Sequence, residues 1–221
     1  PGQITTAGDL ARLAQSLLIE FSGQLQDYAL KKYHYAGTPA ANDTNRNLLL
    51  FRDPNVDGLA NGFSQLSLHG LVATAQREVP GLKERRLVAV VLGAATEALR
   101  DQEGQRLLNW GFSAFEAVLL FQANQPVAQV NVWKGRIRQV SLGLPVPLAV
   151  AVPSGQSSQL RSQLLRPDPV VAPLLKGQSL GSLKFYVGEQ LLTERPLQVL
   201  QSVEESGVIG RAWDALKWWI K

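Results

Sequence analysis

At 221 residues, with 45% hydrophobic and 18% charged residues, the chain has a globular composition and the length for one large domain or two ordinary ones. A net charge of +4, spread along the chain apart from short runs such as Lys83-Glu84-Arg85-Arg86, argues against a nucleic-acid partner, because no basic and aromatic module accompanies it. The absence of cysteine excludes disulfides, thiolate metal sites and cysteine nucleophiles, and the isolated His34 and His69 give no metal-ligand spacing, so neither a metal nor another cofactor is expected.

The first residues, PGQITTAGDL, read as a loop running into a helix; with no Met anywhere, the chain reads as processed or as a fragment. Thr6 with Asp9 three positions later is a variant of the capping box. Leu10, Leu13, Ala14, Leu17, Leu18 and Phe21 then form the stripe of an amphipathic helix. A polar loop occupies roughly residues 35 to 54. The stretch NVDGLANGFSQLSLHGLVATA, Asn55 to Ala75, reads as a strand, a turn and a second strand. RRLVAVVLGA, ending at Ala94, reads as a strand buried on both faces. TEALRDQEGQRLLNWGFSAFEAVLLF, from Thr96 to Phe121, reads as one long helix with Leu107, Trp110, Ala114 and Val118 near helical spacing. Helix, three strands and closing helix make an α/β layer, a sheet flanked by helices.

Beyond Gln122 the period shortens. VAQVNVW, RIRQVSL, VPLAVAV, SLKFYV, LLTER and LQVLQSV are short β-rich runs punctuated by Gly135, Gly143, Pro145, PSGQSS, RPDP and Gly177. They predict an all-β antiparallel sandwich. The expected organisation is 1–121, 122–204 and a C-terminal helix over 205–221.

That tail places Ile209, Trp213, Leu216, Trp219 and Ile220 on one helical face. Arg211, Lys217 and Lys221 lie on the other, and Trp218 adds a third indole. The segment is too short to span a bilayer, which needs about 20 apolar residues. It is expected to lie in the interfacial plane of a membrane surface, its cations toward anionic lipids. A terminal helix docked on the sandwich is the alternative reading.

These segments together resemble the serine D-alanyl-D-alanine carboxypeptidases, the low-molecular-mass penicillin-binding proteins of the bacterial cell wall. The resemblance runs through ITTAGDLARLAQSLL, NRNLLLFRDPNVDGL, GLVATA, RRLVAVVLGAATEALRDQEGQRLLNWGF, WKG and VAVPSG. It implies the C-terminal part of a penicillin-recognising serine-peptidase domain, then a β-sandwich and a membrane-anchoring helix. It further implies a periplasmic protein on the outer face of the inner membrane that acts on peptidoglycan stem peptides.

Members of that family use a Ser-x-x-Lys helix, a Ser-x-Asn loop and a Lys-Thr-Gly strand. The first supplies a nucleophile with its activating base, and the last a cation for the substrate carboxylate. The chain is expected to begin after the place of the first two. The third aligns with Ala60-Asn61-Gly62, so only the glycine is kept. By the resemblance, Ala60, Asn61, Gly62 and Phe63 form a degenerate substrate-binding strand. Gly62 permits close backbone approach, and the Phe63 main-chain N–H is a candidate oxyanion donor. No Ser-x-x-Lys or G-x-S-x-G occurs, no catalytic residue is assigned, and the chain alone is expected to be inactive. An envelope scaffold without catalysis is the alternative. A partner segment or a dimer is expected to cover the open edge of the first domain.

Overall fold

The computed structural model describes residues 4–79 and 82–207, and two compact units divide after Phe115. The tail residues Ile209, Arg211, Trp213, Leu216, Lys217, Trp218, Trp219, Ile220 and Lys221 lie outside the described residues.

The first unit opens on α1 (Ala7–Glu20). Its N-cap is Thr6, whose side chain accepts from the Asp9 N–H at 3.1 Å while its hydroxyl donates to the Asp9 carboxylate at 2.8 Å. Two helical turns follow, the second being α2 (Leu25–Tyr28), and α3 (Leu49–Arg52) closes the loop region. The strands β1 (Val56–Ser64), β2 (Leu68–Val79) and β3 (Leu82–Ala94) form an antiparallel sheet in that order. Helix α4 (Glu97–Ala114) packs on it.

Strand alternation fixes which residues meet α4. Leu71, Ala73 and Ala75 pair with Val91, Ala89 and Leu87, so these six share one face. Gly104 and Gly111 let the helix settle onto that face, because a Cβ at either would crowd Leu71 or Leu87. Leu49, Leu50 and Leu108 complete the buried cluster. α1 also packs on β3, and Val72, Val88 and Val90 on the face away from α4 are half-buried, so the strand's enclosure on that face is partial.

The helix expected over 96–121 ends at Ala114, and the chain continues as β4 (Phe115–Phe121). Arg85 caps that helix end: its guanidinium donates to the carbonyls of Phe115 and Gly111 at 2.7 and 2.9 Å. A buried cation there complements the helix dipole and satisfies terminal carbonyls. Phe115 also meets Trp110 edge-to-face at 5.4 Å.

In the second unit β4 pairs with β7 (Leu148–Pro153). The larger sheet has the order β8-β10-β11-β6-β5-β9, with β5 (Pro126–Trp133), β6 (Gln139–Gly143), β8 (Leu160–Leu165), β9 (Val170–Val171), β10 (Ser179–Val187) and β11 (Gln190–Val199). Both sheets feed one core, in which Val150 and Val152 join Val130, Leu142, Phe185 and Leu197, so the β-sandwich is as expected. β5 and β9 pair in parallel.

Candidate functional site

The β1–β2 hairpin carries the candidate groove. Its register sets Ala60 against Val72, Asn61 against Leu71, Gly62 against Gly70 and Phe63 against His69. A depression of about 360 Å³ runs along it, bordered by Ala60, Asn61, Gly62 and Phe63 from β1, with Ser67, Gly70, Leu71 and Val72 beside them. Leu10 of α1 and Leu92 of β3 also line it. None of these ten side chains is charged.

Gly62 has an open position: a Cβ built there meets no atom within 4 Å. Its own backbone does not demand glycine, so the missing side chain serves the groove by keeping its floor clear. Gly70 is tighter, since a Cβ would lie 3.3 Å from Leu92. β1 is an edge strand of the described sheet, so part of its backbone hydrogen-bonding capacity faces away from β2. That edge suits an extended peptide better than a small isolated ion.

The hydroxyls beside the groove are already engaged with each other. Ser64 and Ser67 oxygens lie 2.6 Å apart, and the Ser67 N–H donates to Ser64 at 2.9 Å. His69 is given over to Phe63, with ring centroids 4.5 Å apart, and its Nδ1 is buried without a hydrogen-bond partner. His34 pairs with Asp43, its Nδ1 2.9 Å from the carboxylate. Ser64 and Ser67 beside the groove thus bond to each other rather than to either histidine. No group of three or more His, Cys, Asp or Glu with metal-binding geometry occurs among them either.

Beneath the strand lies a set of buried polar side chains. Asn47, 2% exposed, donates from its amide to the Gly58 carbonyl at 3.1 Å and accepts from the Leu49 N–H. It is held in turn by the Asn45 side chain, which accepts from the Asn47 N–H at 2.9 Å. Arg100, 1% exposed, pairs with the fully buried Asp101 at 2.9 Å and donates to the Arg46 carbonyl at 2.8 Å. Asn45-Arg46-Asn47 is thereby tied to β1 on one side and to α4 on the other. Sequence reasoning assigned these residues no role. Their signal was an Asn-x-Asn step directly before the apolar Leu48-Leu49-Leu50 run.

Asp53 anchors the next turn. Burial alone would raise its carboxyl, but hydrogen bonds from the Asn55 backbone, Gln105, the Asn55 side chain and Arg77 outweigh that and hold its pKa below the ordinary carboxylate value. Arg77 bridges Asp53 and Asn109 at 3.1 and 2.9 Å while its guanidinium lies 4.3 Å over the Phe112 ring. Arg86 is similarly committed, to Asp57 and Thr74 at 2.7 and 2.9 Å. Arg77, Arg85 and Arg86 are thus bound into ion pairs and caps, and none of the three borders the groove.

Comparison with known proteins gives the geometry a context. Residues 1–96 match the family model described as D-alanyl-D-alanine carboxypeptidase, and residues 115–205 match the C-terminal domain of penicillin-binding protein 5. The D-alanyl-D-alanine carboxypeptidase DacC of Escherichia coli is 35% identical over 216 residues, 97% of this chain and 52% of that protein. DacA of the same bacterium is 31% identical over 98% of this chain and 52% of its own length. The crystal structure of penicillin binding protein 5 from Haemophilus influenzae superposes with a TM-score of 0.80 at 28% identity, covering 93% of this chain and 58% of that one. The chain spans about half the length of the curated relatives it matches.

Proposed function

The chain belongs to the D-alanyl-D-alanine carboxypeptidase family and corresponds to its C-terminal portion, and from that premise we propose that β1 is the substrate-facing wall of a carboxypeptidase acting on peptidoglycan stem peptides. The observation that carries this reading is Ala60-Asn61-Gly62 on an edge strand beside an open groove, with space left clear at Gly62. In this chain the wall works without charge. Asn61 offers neutral hydrogen bonds to the peptide, and the Phe63 N–H remains available in kind as an oxyanion donor, since a main-chain donor needs no particular side chain. The substrate's terminal carboxylate finds no fixed cation, and the serine hydroxyls at hand lack a base. Binding without turnover is therefore the expected behaviour of residues 1–221 taken alone.

The protein is assigned to the periplasm, peripheral on the outer face of the inner membrane. Support comes from its relatives and from the tail pattern Trp213, Trp218 and Trp219 with Arg211, Lys217 and Lys221. Among the described residues no helix is long and apolar enough to cross a membrane. Leu13, Ile19 and Phe21 leave an apolar surface on and just beyond α1, which supports a covering partner segment or a second copy.

Titration of the isotope-labelled chain with diacetyl-Lys-D-Ala-D-Ala tests the reading. Weak binding is expected, with amide shifts centred on Ala60 to Phe63 and on Gly70 to Val72. The double variant Ala60→Lys, Asn61→Thr should tighten it by about tenfold, in line with the strength of a charge-assisted hydrogen bond. Shifts that avoid this strand in both proteins would refute the assignment.

A further inference from the structure

The loop joining α2 to α3 borders a second, open cavity of about 590 Å³, which shares no lining residue with the groove at Gly62. The loop is closed by its own hydrogen bonds. Lys32 and Thr44 form an antiparallel bridge, the Tyr33 N–H donates to the Asp43 carbonyl at 2.8 Å, and the Asn45 N–H donates to the Lys31 carbonyl at 2.9 Å. Across its tip the Thr38 hydroxyl donates to the Tyr35 carbonyl at 2.7 Å. These bonds hold Tyr33 and Tyr35 at the cavity wall although their side chains are 65% and 66% exposed.

We propose that this cavity binds a glycan of N-acetylated amino sugars. A pyranose ring has an apolar face of C–H bonds, slightly positive, and a rim of hydroxyls. The face suits the electron-rich face of a tyrosine ring, and exposed tyrosines supply that surface at little ordering cost. The rim needs partners that both donate and accept, and Asp27, Asn42 and Thr44 stand at the cavity with side chains that hydrogen-bond to no other described residue. The Asp43 carboxylate is oriented by His34 at 2.9 Å. Leu30, also at the wall and exposed, offers an apolar contact for an acetamido methyl group. A small quaternary ammonium, the other ligand of aromatic walls, needs a tight cage, whereas this cavity has the volume of a site for a drug-sized or oligomeric ligand.

The cavity is connected to β1. Asn45, one of its lining residues, accepts from the Asn47 N–H, and Asn47 donates to Gly58 of β1. A glycan held here would lie on the same hydrogen-bonded frame as the strand proposed to bind peptide. The glycan site stands on its own chemistry and survives if the peptide-binding reading fails.

The test is titration of the full labelled chain with chitotetraose, cellotetraose and tetramethylammonium in parallel. Chitotetraose should shift amides within residues 27–45 and leave Ala60 to Phe63 unmoved, and cellotetraose, lacking acetamido groups, should bind more weakly. Tyr33→Ala and Tyr35→Ala should each weaken chitotetraose by about threefold to tenfold, as loss of one stacking ring implies. Tyr33→Phe, which keeps the ring, should bind as the parent does, and this separates stacking from loss of fold. Absence of shifts in 27–45 with chitotetraose, equal binding of cellotetraose, or preference for tetramethylammonium would each overturn the proposal.

Discussion

Among the described residues, eight apolar side chains form the buried cluster up to Phe115, whereas from Glu116 onward eighteen do. Buried polar side chains show the reverse. Among the described residues Asn47, Asp53, Thr74, Arg85, Arg100 and Asp101 all fall in the first unit and none in the second. Exposure of large apolar groups follows the same division, with Ile4, Leu13, Ile19, Phe21 and Trp110 conspicuous in the first unit. The second unit is held by area removed from water, which tolerates variation in detail. The first depends on directed hydrogen bonds that fix loops around a groove, and it leaves apolar surface for something else to cover. On the proposed reading, a unit that binds keeps its scaffold polar and specific even where the groove carries no charge.

The sharpest way to break this comparison is to separate the halves. Residues 116–207 expressed alone should unfold in one cooperative transition. Residues 4–115 alone should bind a hydrophobic dye and melt broadly. Equal cooperativity in both would erase the distinction. Next in size is Asp101→Ala, which strands the Arg100 cation in the interior and should cost about 3–5 kcal/mol in chemical denaturation. A loss under about 1 kcal/mol would show that the pair does not hold the Asn45–Asn47 loop.

Asp53 gives a smaller effect with a pH signature. Its folded-state pKa lies below the ordinary value of about 3.9, so its contribution is fully present above that value and is lost as pH falls through the folded value. Asp53→Asn should therefore cost about 1–3 kcal/mol at neutral pH, and the gap to the parent should close in acid. A gap unchanged down to pH 2 would contradict the assignment of a charged acceptor. Smallest is Thr6→Ala at the head of α1, expected to cost about 1 kcal/mol by loss of the cap, as read from thermal unfolding.

Particular residues show how far the sequence carried. The Thr6 and Asp9 pair announced the start of α1, and the hairpin expected over Asn55 to Ala75 was legible from β-rich runs around a turn, although β2 runs on to Val79. The helix end at Ala114 was not. Phe115-Glu116-Ala117-Val118-Leu119-Leu120-Phe121 is a short apolar run, and such runs fit a helix or a buried strand equally until the partner strand β7 is known. LLTER and the first residues of LQVLQSV, read as separate runs on either side of Pro196, belong to β11. The proline is tolerated because β6 pairs with β11 only at Gln198 and Val199. β8, Leu-Arg-Ser-Gln-Leu-Leu, lacked a clear alternation because it lies at a sheet edge and is mostly exposed. At the groove, the four residues Ala60 to Phe63 were identified by resemblance. The Asn47 and Arg100 contacts depend on pairings 11 and 54 residues apart, which no local pattern encodes.

The most direct measurement is the intact mass of the purified chain after incubation with excess benzylpenicillin. An uncharged groove whose serines have no base predicts an unchanged mass. A stoichiometric penicilloyl adduct on any serine of residues 1–221 would contradict the account.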